Sequence, residues 1–417
     1  MLIPRKFALL CLLLVGATSA HASQRLSLPQ ALAAAFAQNP ELAATSREIG
    51  IADGERRQAG LLPNPELAWE VEDTRRDTST TTITLSQPLE LGGKRAARIA
   101  AAGVGQAIAQ LDLERQRNGL RADVVQAFHA ALRAQTALEL AQQSQALTAR
   151  GLRVVQGRVT AGQSSPVEVT RAQVQMAQAE AQLRRAQTQR SVAYQALARL
   201  TGSPLTSFDS LQAAYLSPGV APSTDTLLAS VEQTVEWRLA AAQVERGDAA
   251  LGTEKAQRIP NLTVSLGSQY SREERERVNV VGLSMPLPLF DRNQGNVLAA
   301  ARRADQARDL RNAVALRLRS ETRSAVDQWV TAMQEVAAYD RTILPAAQQA
   351  VDTATRGFEM GKFAFLDVLD AQRTLIEARG LYLEALATAA DARARVERIY
   401  GDLDDLGNPM ISRSSND

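Results

Sequence analysis

Of 417 residues, one is cysteine and two are histidine. Cys11 and His21 both lie in the first 22 residues, which read as a removable leader. Arg5 and Lys6 give a positive start, and Phe7 to Val15 is an apolar run too short to span a bilayer. Ala20-His21-Ala22 supplies the small-x-small cleavage pattern, so Ser23 is the expected mature start. A lipid-anchored start needs its cysteine at the cleavage point, whereas Cys11 sits inside the apolar run and reads as filler. The mature chain then has no thiol, hence no disulfide and no thiolate metal site. His129 alone cannot build a zinc site within one chain. It is expected on the solvent side of a long helix, and no metal site is assigned to it. The chain has 47 basic and 45 acidic residues; loss of Arg5 and Lys6 leaves 45 of each, with no basic excess to suggest nucleic acid. No stretch after residue 22 is apolar for the roughly 18 residues that a transmembrane helix requires. Nucleophile elbows, phosphate loops, clustered metal ligands and ATP-binding motifs are missing too. The chain therefore reads as a non-enzyme that needs no cofactor, with any transport energy coming from a partner. Aromatics are only 4% of the chain, while Ala, Gln and Arg are plentiful, which favours long, closely packed helices over one large core.

What the sequence does contain, it contains twice. Gly157 to Gly202 aligns with Arg356 to Gly401 at a constant offset of 199, pairing Gly162 with Gly361 and Leu200-Thr201-Gly202 with Ile399-Tyr400-Gly401. Further upstream the offset slips slightly, pairing Ser86-Gln87-Pro88-Leu89 with Ser284-Met285-Pro286-Leu287. The expected division is a first repeat over 23–215, a second over 216–401 and a tail over 402–417. Each repeat reads as a helix (27–60, then 224–257), two short strands, a very long helix (93–160, then 292–360), a tight turn and a shorter helix (166–200, then 365–399). Leu120, Val124, Ala127, Ala131, Ala134, Leu138 and Ala141 form a heptad seam of mostly small residues. Val326, Val330, Met333 and Ala337 repeat part of it. A helix of this length reaches about 100 Å, and Pro345 is expected to disturb the second one locally.

The short segments, at about 65–73, 80–88, 261–270 and 278–287, alternate apolar and polar residues. Leu67, Trp69 and Val71 oppose Glu66, Glu70 and Glu72, while Ile83 and Leu85 oppose Thr82, Thr84 and Ser86. Leu262, Val264, Leu266 and Tyr270 oppose Thr263, Ser265 and Gln269; Val281, Leu283, Met285 and Leu287 share a face of the fourth segment. Such strands suit either a transmembrane barrel around water or solvent-exposed hairpins; four of them at duplicated positions favour the barrel. Four strands cannot close, and lipid does not tolerate open edges. Closure therefore falls to identical chains: two copies give eight strands and a barrel filled by side chains, three give twelve with room for a lumen, and the lumen favours three.

The duplicated order and the run Gly361-Lys362-Phe363-Ala364-Phe365-Leu366-Asp367-Val368-Leu369-Asp370-Ala371 resemble the TolC family of outer-membrane efflux factors. The resemblance implies a homotrimer set in outer-membrane lipid: a twelve-stranded β-barrel continued by a periplasmic α-helical coiled-coil barrel. It also implies a periplasmic adaptor (membrane fusion) protein and an inner-membrane, proton-driven RND-type pump as partners. Gln87-Pro88-Leu89-Glu90-Leu91-Gly92-Gly93-Lys94-Arg95 resembles the strand-to-helix run of cobalt–zinc–cadmium (Czc-type) outer-membrane components. That implies heavy-metal cation efflux, with a drug duct of the same family as the alternative. A soluble periplasmic adaptor or scaffold is the reading from another class; it should carry one helical hairpin between sizeable β domains, whereas two hairpins with short strands are written here.

The expected site lies in the turns. Asp367 and Asp370, three apart, share one helix face, and the family places such an acidic pair at the periplasmic entrance, where carboxylate rings favour cations. As first-turn acids they also suit a helix N-terminus. The matching first turn holds Gly162 and Glu168, but Arg171 replaces the second acid. With Gly361, Lys362 and Phe363 these residues are the expected adaptor-docking tips. Phe358 and Phe363 stand where a polar lock would use Tyr or Arg, and Arg158, Arg356 and Lys362 are candidates to pair with Glu168 or Asp367.

Overall fold

A computed structural model describes residues 25–163, 165–202, 210–212 and 219–403. The expected leader and all but the start of the expected tail lie outside these residues. The chain begins with strand β1 (Arg25–Leu26) and helices α1 (Leu28–Gln38) and α2 (Pro40–Ala59). One continuous helix over 27–60 was expected. Asn39 breaks it, because the residue before a proline is pushed out of helical geometry. Its backbone is extended, and its Oδ1 accepts from the N–H groups of Glu41 and Leu42, both at 3.0 Å, capping α2. Ser27 caps α1 reciprocally with Gln30, which folds its side chain back to the Ser27 N–H at 2.9 Å.

Strands β2 (Glu66–Glu72) and β3 (Thr80–Leu89) lead into α3 (Lys94–Thr160), α4 (Pro166–Thr201) and β4 (Ser210–Leu211), which pairs parallel with β1. The second repeat opens with α5 (Thr224–Ala229) and α6 (Val235–Gln257). The helix expected over 224–257 is interrupted here too, by a single tight turn over Val231–Gln233. Ser230 and Thr234 donate their hydroxyls to the Leu227 and Val231 carbonyls, competing with helical bonding. Strands β5 (Leu262–Ser271) and β6 (Glu276–Ser284) follow, then α7 (Gln294–Ala338), α8 (Leu344–Glu359) and α9 (Phe365–Tyr400). β6 ends at Ser284 rather than near 287, because Pro286 and Pro288 have no N–H to give the ladder. Between α7 and α8 the chain makes a five-residue π turn, Tyr339–Ile343, just before Pro345, so the expected disturbance is a widened turn. Pro345 has no N–H for the preceding turn, and the looser register accommodates this.

At 67 residues, α3 is about 100 Å long. It packs along α2, α4, α6 and α9, while α7 packs along α6 and α9. Among the described residues, the two largest buried clusters lie near the middle of the long helices. One cluster gathers Phe128, Val124, Leu132 and Leu197 around Ala31 and Ala35 of α1; the other gathers Trp329, Val326 and Val396 around Ala389 and Ala392. Alanines at the contacts let the helix axes approach closely. Tyr194 donates to Gln135 Oε1 at 2.7 Å, and the same oxygen accepts from the Leu211 N–H at 2.9 Å, tying β4 to the bundle.

The sheet order is β2-β3-β5-β6, antiparallel throughout. Leu67 opposes Leu85, Leu85 opposes Leu266, and Leu266 opposes Val281, so one apolar row crosses all four strands. All four side chains are exposed in the single chain. Glu66, Ser86, Ser265 and Gly282 form the adjacent row on the opposite face. Among the described residues, no helix is long and apolar enough to cross a membrane.

Candidate functional site

The two helical hairpins end in matching turns. Gly162 (φ 73°) and Gly361 (φ 70°) adopt the left-handed conformation that glycine takes at no steric cost. Each turn is closed by the same wide backbone bond: Gln163 N–H to the Arg158 carbonyl, and Lys362 N–H to the Gly357 carbonyl, both 2.8 Å. Ser165 caps α4, its hydroxyl oxygen accepting from the Val167 N–H at 3.4 Å. Ala364, at the same place before α9, has no side-chain acceptor, and Asp367 supplies the cap instead by accepting from the Ala364 N–H at 2.9 Å. Asp370 is exposed and accepts from Arg373 Nη2 at 2.8 Å. Exposed pairs of this kind contribute about 0–1 kcal/mol.

The structure divides the expected tip residues among three surroundings. Glu168 and Arg171 line a groove between the hairpins, with Val155, Arg158, Ala364 and Leu366. Asp370 lines a neighbouring groove, beside Gln178, Gln182 and Ile376. Lys362 is exposed, and the Phe363 ring folds back over Gly357, where any side chain would collide with the ring. The expected pairing of Arg158, Arg356 and Lys362 with Glu168 or Asp367 is not formed within a protomer, among the described residues. Arg158 instead places its guanidinium over the Phe358 ring, 5.6 Å from the centroid, and Arg356 donates to the Asp352 carbonyl at 3.2 Å. Phe358, which departs from the Tyr or Arg of a polar lock, thus supplies an aromatic contact across the hairpins.

The strand-to-helix run is a structural joint. Gly92 and Gly93 have φ of 72° and 75°. A Cβ on Gly92 would lie 2.7 Å from Ile259 Cβ, so the close approach of α6's end also requires glycine there. Lys94 donates to Asn261 Oδ1 at 2.5 Å, and Arg95 donates to the Gly60 carbonyl at 2.7 Å. Arg98 grips Glu90 with both terminal guanidinium nitrogens, Nη1 and Nη2. Pro88, still within β3, lies opposite Thr263. These cations tie the start of α3 to the segments beside α2, β3 and β5. The second joint was overlooked: Asn293, also left-handed at φ 58°, donates to the Glu254 carbonyl at 2.9 Å. An asparagine just before a long helix was the available signal.

His129 is not on a solvent face; it is buried, 7% exposed, edge-on to Phe128. Ala122, Val125 and His129 make a second stripe at helical spacing, and Ala122 and Val125 pack on Ala394 of α9. α3 is covered on two sides, so a residue off the first seam is still interior. Burial, then the charges of Arg393 and Arg133, pull the His129 pKa down to about 4. Nearby, the fully buried Glu397 accepts from Arg393 Nε at 2.8 Å and faces Arg121 Nε at 3.7 Å. Its burial nevertheless raises the carboxyl above the usual range.

Residues 31–203 and 233–402 match the family described as Outer membrane efflux protein. The chain is 39% identical over 381 residues to the cobalt-zinc-cadmium resistance protein CzcC of Cupriavidus metallidurans, covering 91% of each. It is 27% identical to the nickel-cobalt-cadmium resistance protein NccC of Alcaligenes xylosoxydans xylosoxydans, over 76% of this chain and 73% of that one. The fold matches the CmeC outer membrane channel of Campylobacter jejuni with a TM-score of 0.76 at 16% identity, over 89% of this chain and 86% of that chain. These findings bear out the resemblance to TolC-type factors, whose channels work with partner proteins in tripartite efflux systems. The chain belongs to the outer membrane efflux protein family, as a non-enzymatic channel subunit of the outer membrane with a large helical periplasmic part.

Proposed function

We propose that three copies of this chain form a passive duct for divalent heavy-metal cations such as cobalt, zinc and cadmium. A periplasmic adaptor and an inner-membrane, proton-driven RND-type pump deliver the cargo to it. The observation that carries the duct is the sheet: an apolar row from Leu67 to Val281 on one face, a polar face behind it, and both edges open. Three such sheets make a twelve-stranded barrel with lipid outside and water inside. The long helices continue it into the periplasm. The cargo class is supported by 39% identity to a protein named for cobalt, zinc and cadmium resistance.

At the entrance, Asp367 and Asp370 supply exposed carboxylates on the first turns of α9. Repeated threefold, they make two stacked acidic rings that raise the local cation concentration without capturing the ion. Glu168, Arg171, Gly162, Gly361, Lys362 and Phe363 form the docking tips. The two repeats present different charges there, giving an adaptor two kinds of groove.

The test is a deletion strain complemented with the wild type or with Asp367→Arg/Asp370→Arg, scored for zinc, cadmium, cobalt and copper tolerance beside a drug panel. Metal sensitivity of the deletion, restored by the wild type but not by the double variant, is the expected outcome. Drug sensitivity alone would remove the metal cargo and leave the duct. Unchanged metal tolerance and cation selectivity in the double variant would remove the acidic-ring role.

A further inference from the structure

Two layers of the protomer share one lateral order. The sheet runs β2-β3-β5-β6, and below it α2 packs on α3, α3 on α6, and α6 on α7. One side of the protomer is therefore edged by β2 and α2, the other by β6 and α7. The chain enters the first edge through Leu61 and Leu62 and leaves the second through Leu287, Leu289 and Phe290. Both segments lie at the helical end of the sheet: Glu66 is level with Ser86, Ser86 with Ser265, and Ser265 with Gly282. All five side chains are exposed, Leu62 by 67% and Phe290 by 90%. Pro286 and Pro288 keep the second segment out of the ladder, so it projects past the strand end.

We propose that Leu287, Leu289 and Phe290 of one protomer cover Leu61 and Leu62 of the next, as an apolar clasp where the β-barrel meets the helical barrel. This rests on the trimer reading above. The occupant is a second copy because the outer edges of β2 and β6 carry unpaired backbone N–H and C=O groups that lipid cannot satisfy. Those edges pair with each other, antiparallel, and the adjoining segments are carried together with them. Burial of the five side chains then adds an apolar contact just below the last backbone hydrogen bonds of the seam.

Residues 12–417 contain no cysteine, so Leu62→Cys/Phe290→Cys places one thiol pair on a clean background. Detergent-extracted protein treated with a short bifunctional thiol reagent is expected to give covalent trimers on a denaturing gel, with each single variant remaining monomeric. Phe290→Ser, which leaves the strands untouched, is expected to lower the temperature at which the trimer dissociates in detergent. Native mass spectrometry of the unmodified chain separates the two levels of failure. A trimer that gives no interchain link, with a Phe290→Ser dissociation temperature equal to the wild type's, overturns the clasp; quenching of a probe at position 290 by brominated lipid would then identify lipid as the occupant. A chain that forms no trimer removes the oligomer reading as well.

Discussion

The guanidinium of Arg158, near the end of α3, lies 5.6 Å from the centre of the Phe358 ring, near the end of α8. It joins the first hairpin to the second one turn short of both tips. A cation over an aromatic face at a half-exposed position contributes about 0.5–2 kcal/mol. Removing either partner should loosen the mouth: Arg158→Ala and Phe358→Ala are each expected to raise the open fraction of single channels in planar bilayers severalfold. The double variant should open little further than either single one. Additive effects would show that the two residues do not act through each other.

His129 gives the assembly an acid limb. Its folded pKa is about 4, against 6.5 ordinarily. Between these values the unfolded chain binds a proton that the native chain does not, so stability is fully present above about pH 6.5 and is lost as pH falls towards 4. At 1.36 kcal/mol per pH unit the shift corresponds to about 3 kcal/mol. His129→Gln, which cannot titrate, is expected to flatten thermal denaturation curves across this window. A wild type with no loss between pH 6.5 and 4 would contradict the assignment.

Neighbouring glycines at the first joint should respond differently. Gly93→Ala meets no neighbour within 4 Å and carries only left-handed strain, about 1–2 kcal/mol. Gly92→Ala carries that strain plus a clash with Ile259 at 2.7 Å, and should destabilise more or block assembly. Gly93→Asn should be nearly neutral, since Asn293 holds the corresponding conformation in the second repeat. Yields of heat-resistant trimer in the outer-membrane fraction would rank the three.

The two faces of the sheet make opposite demands. Leu266→Arg puts a charge against lipid and is expected to cost about 2–4 kcal/mol near the midplane. Thr84→Arg, on the polar face, should assemble normally and change conductance instead. Equal assembly of both variants in lipid vesicles would argue that the apolar row is not lipid-facing.

The sequence alone determined the duplication, the four alternating strands, the long helices and the glycine turns, because each is written in local chemistry. Period-two alternation, heptad spacing and proline or glycine punctuation act within a few residues of one another. The family was legible for the same reason, from contiguous runs such as Gly361 to Ala371. Tertiary structure alone decided that α3 has a second interior face beside its heptad seam. His129 is off the first seam and still buried, because α9 covers a second side of α3. Arg158 chose a ring over a carboxylate because the packing of two hairpins, 199 residues apart in register, brought Phe358 beneath it. Lys94 and Arg95 belong to the run that resembles Czc-type components, but their work as struts was not legible there, since their partners, Asn261 and Gly60, reach them only through the fold. Side-chain identity sets what a residue can bond; distance in space, which the sequence does not carry, sets what it does bond.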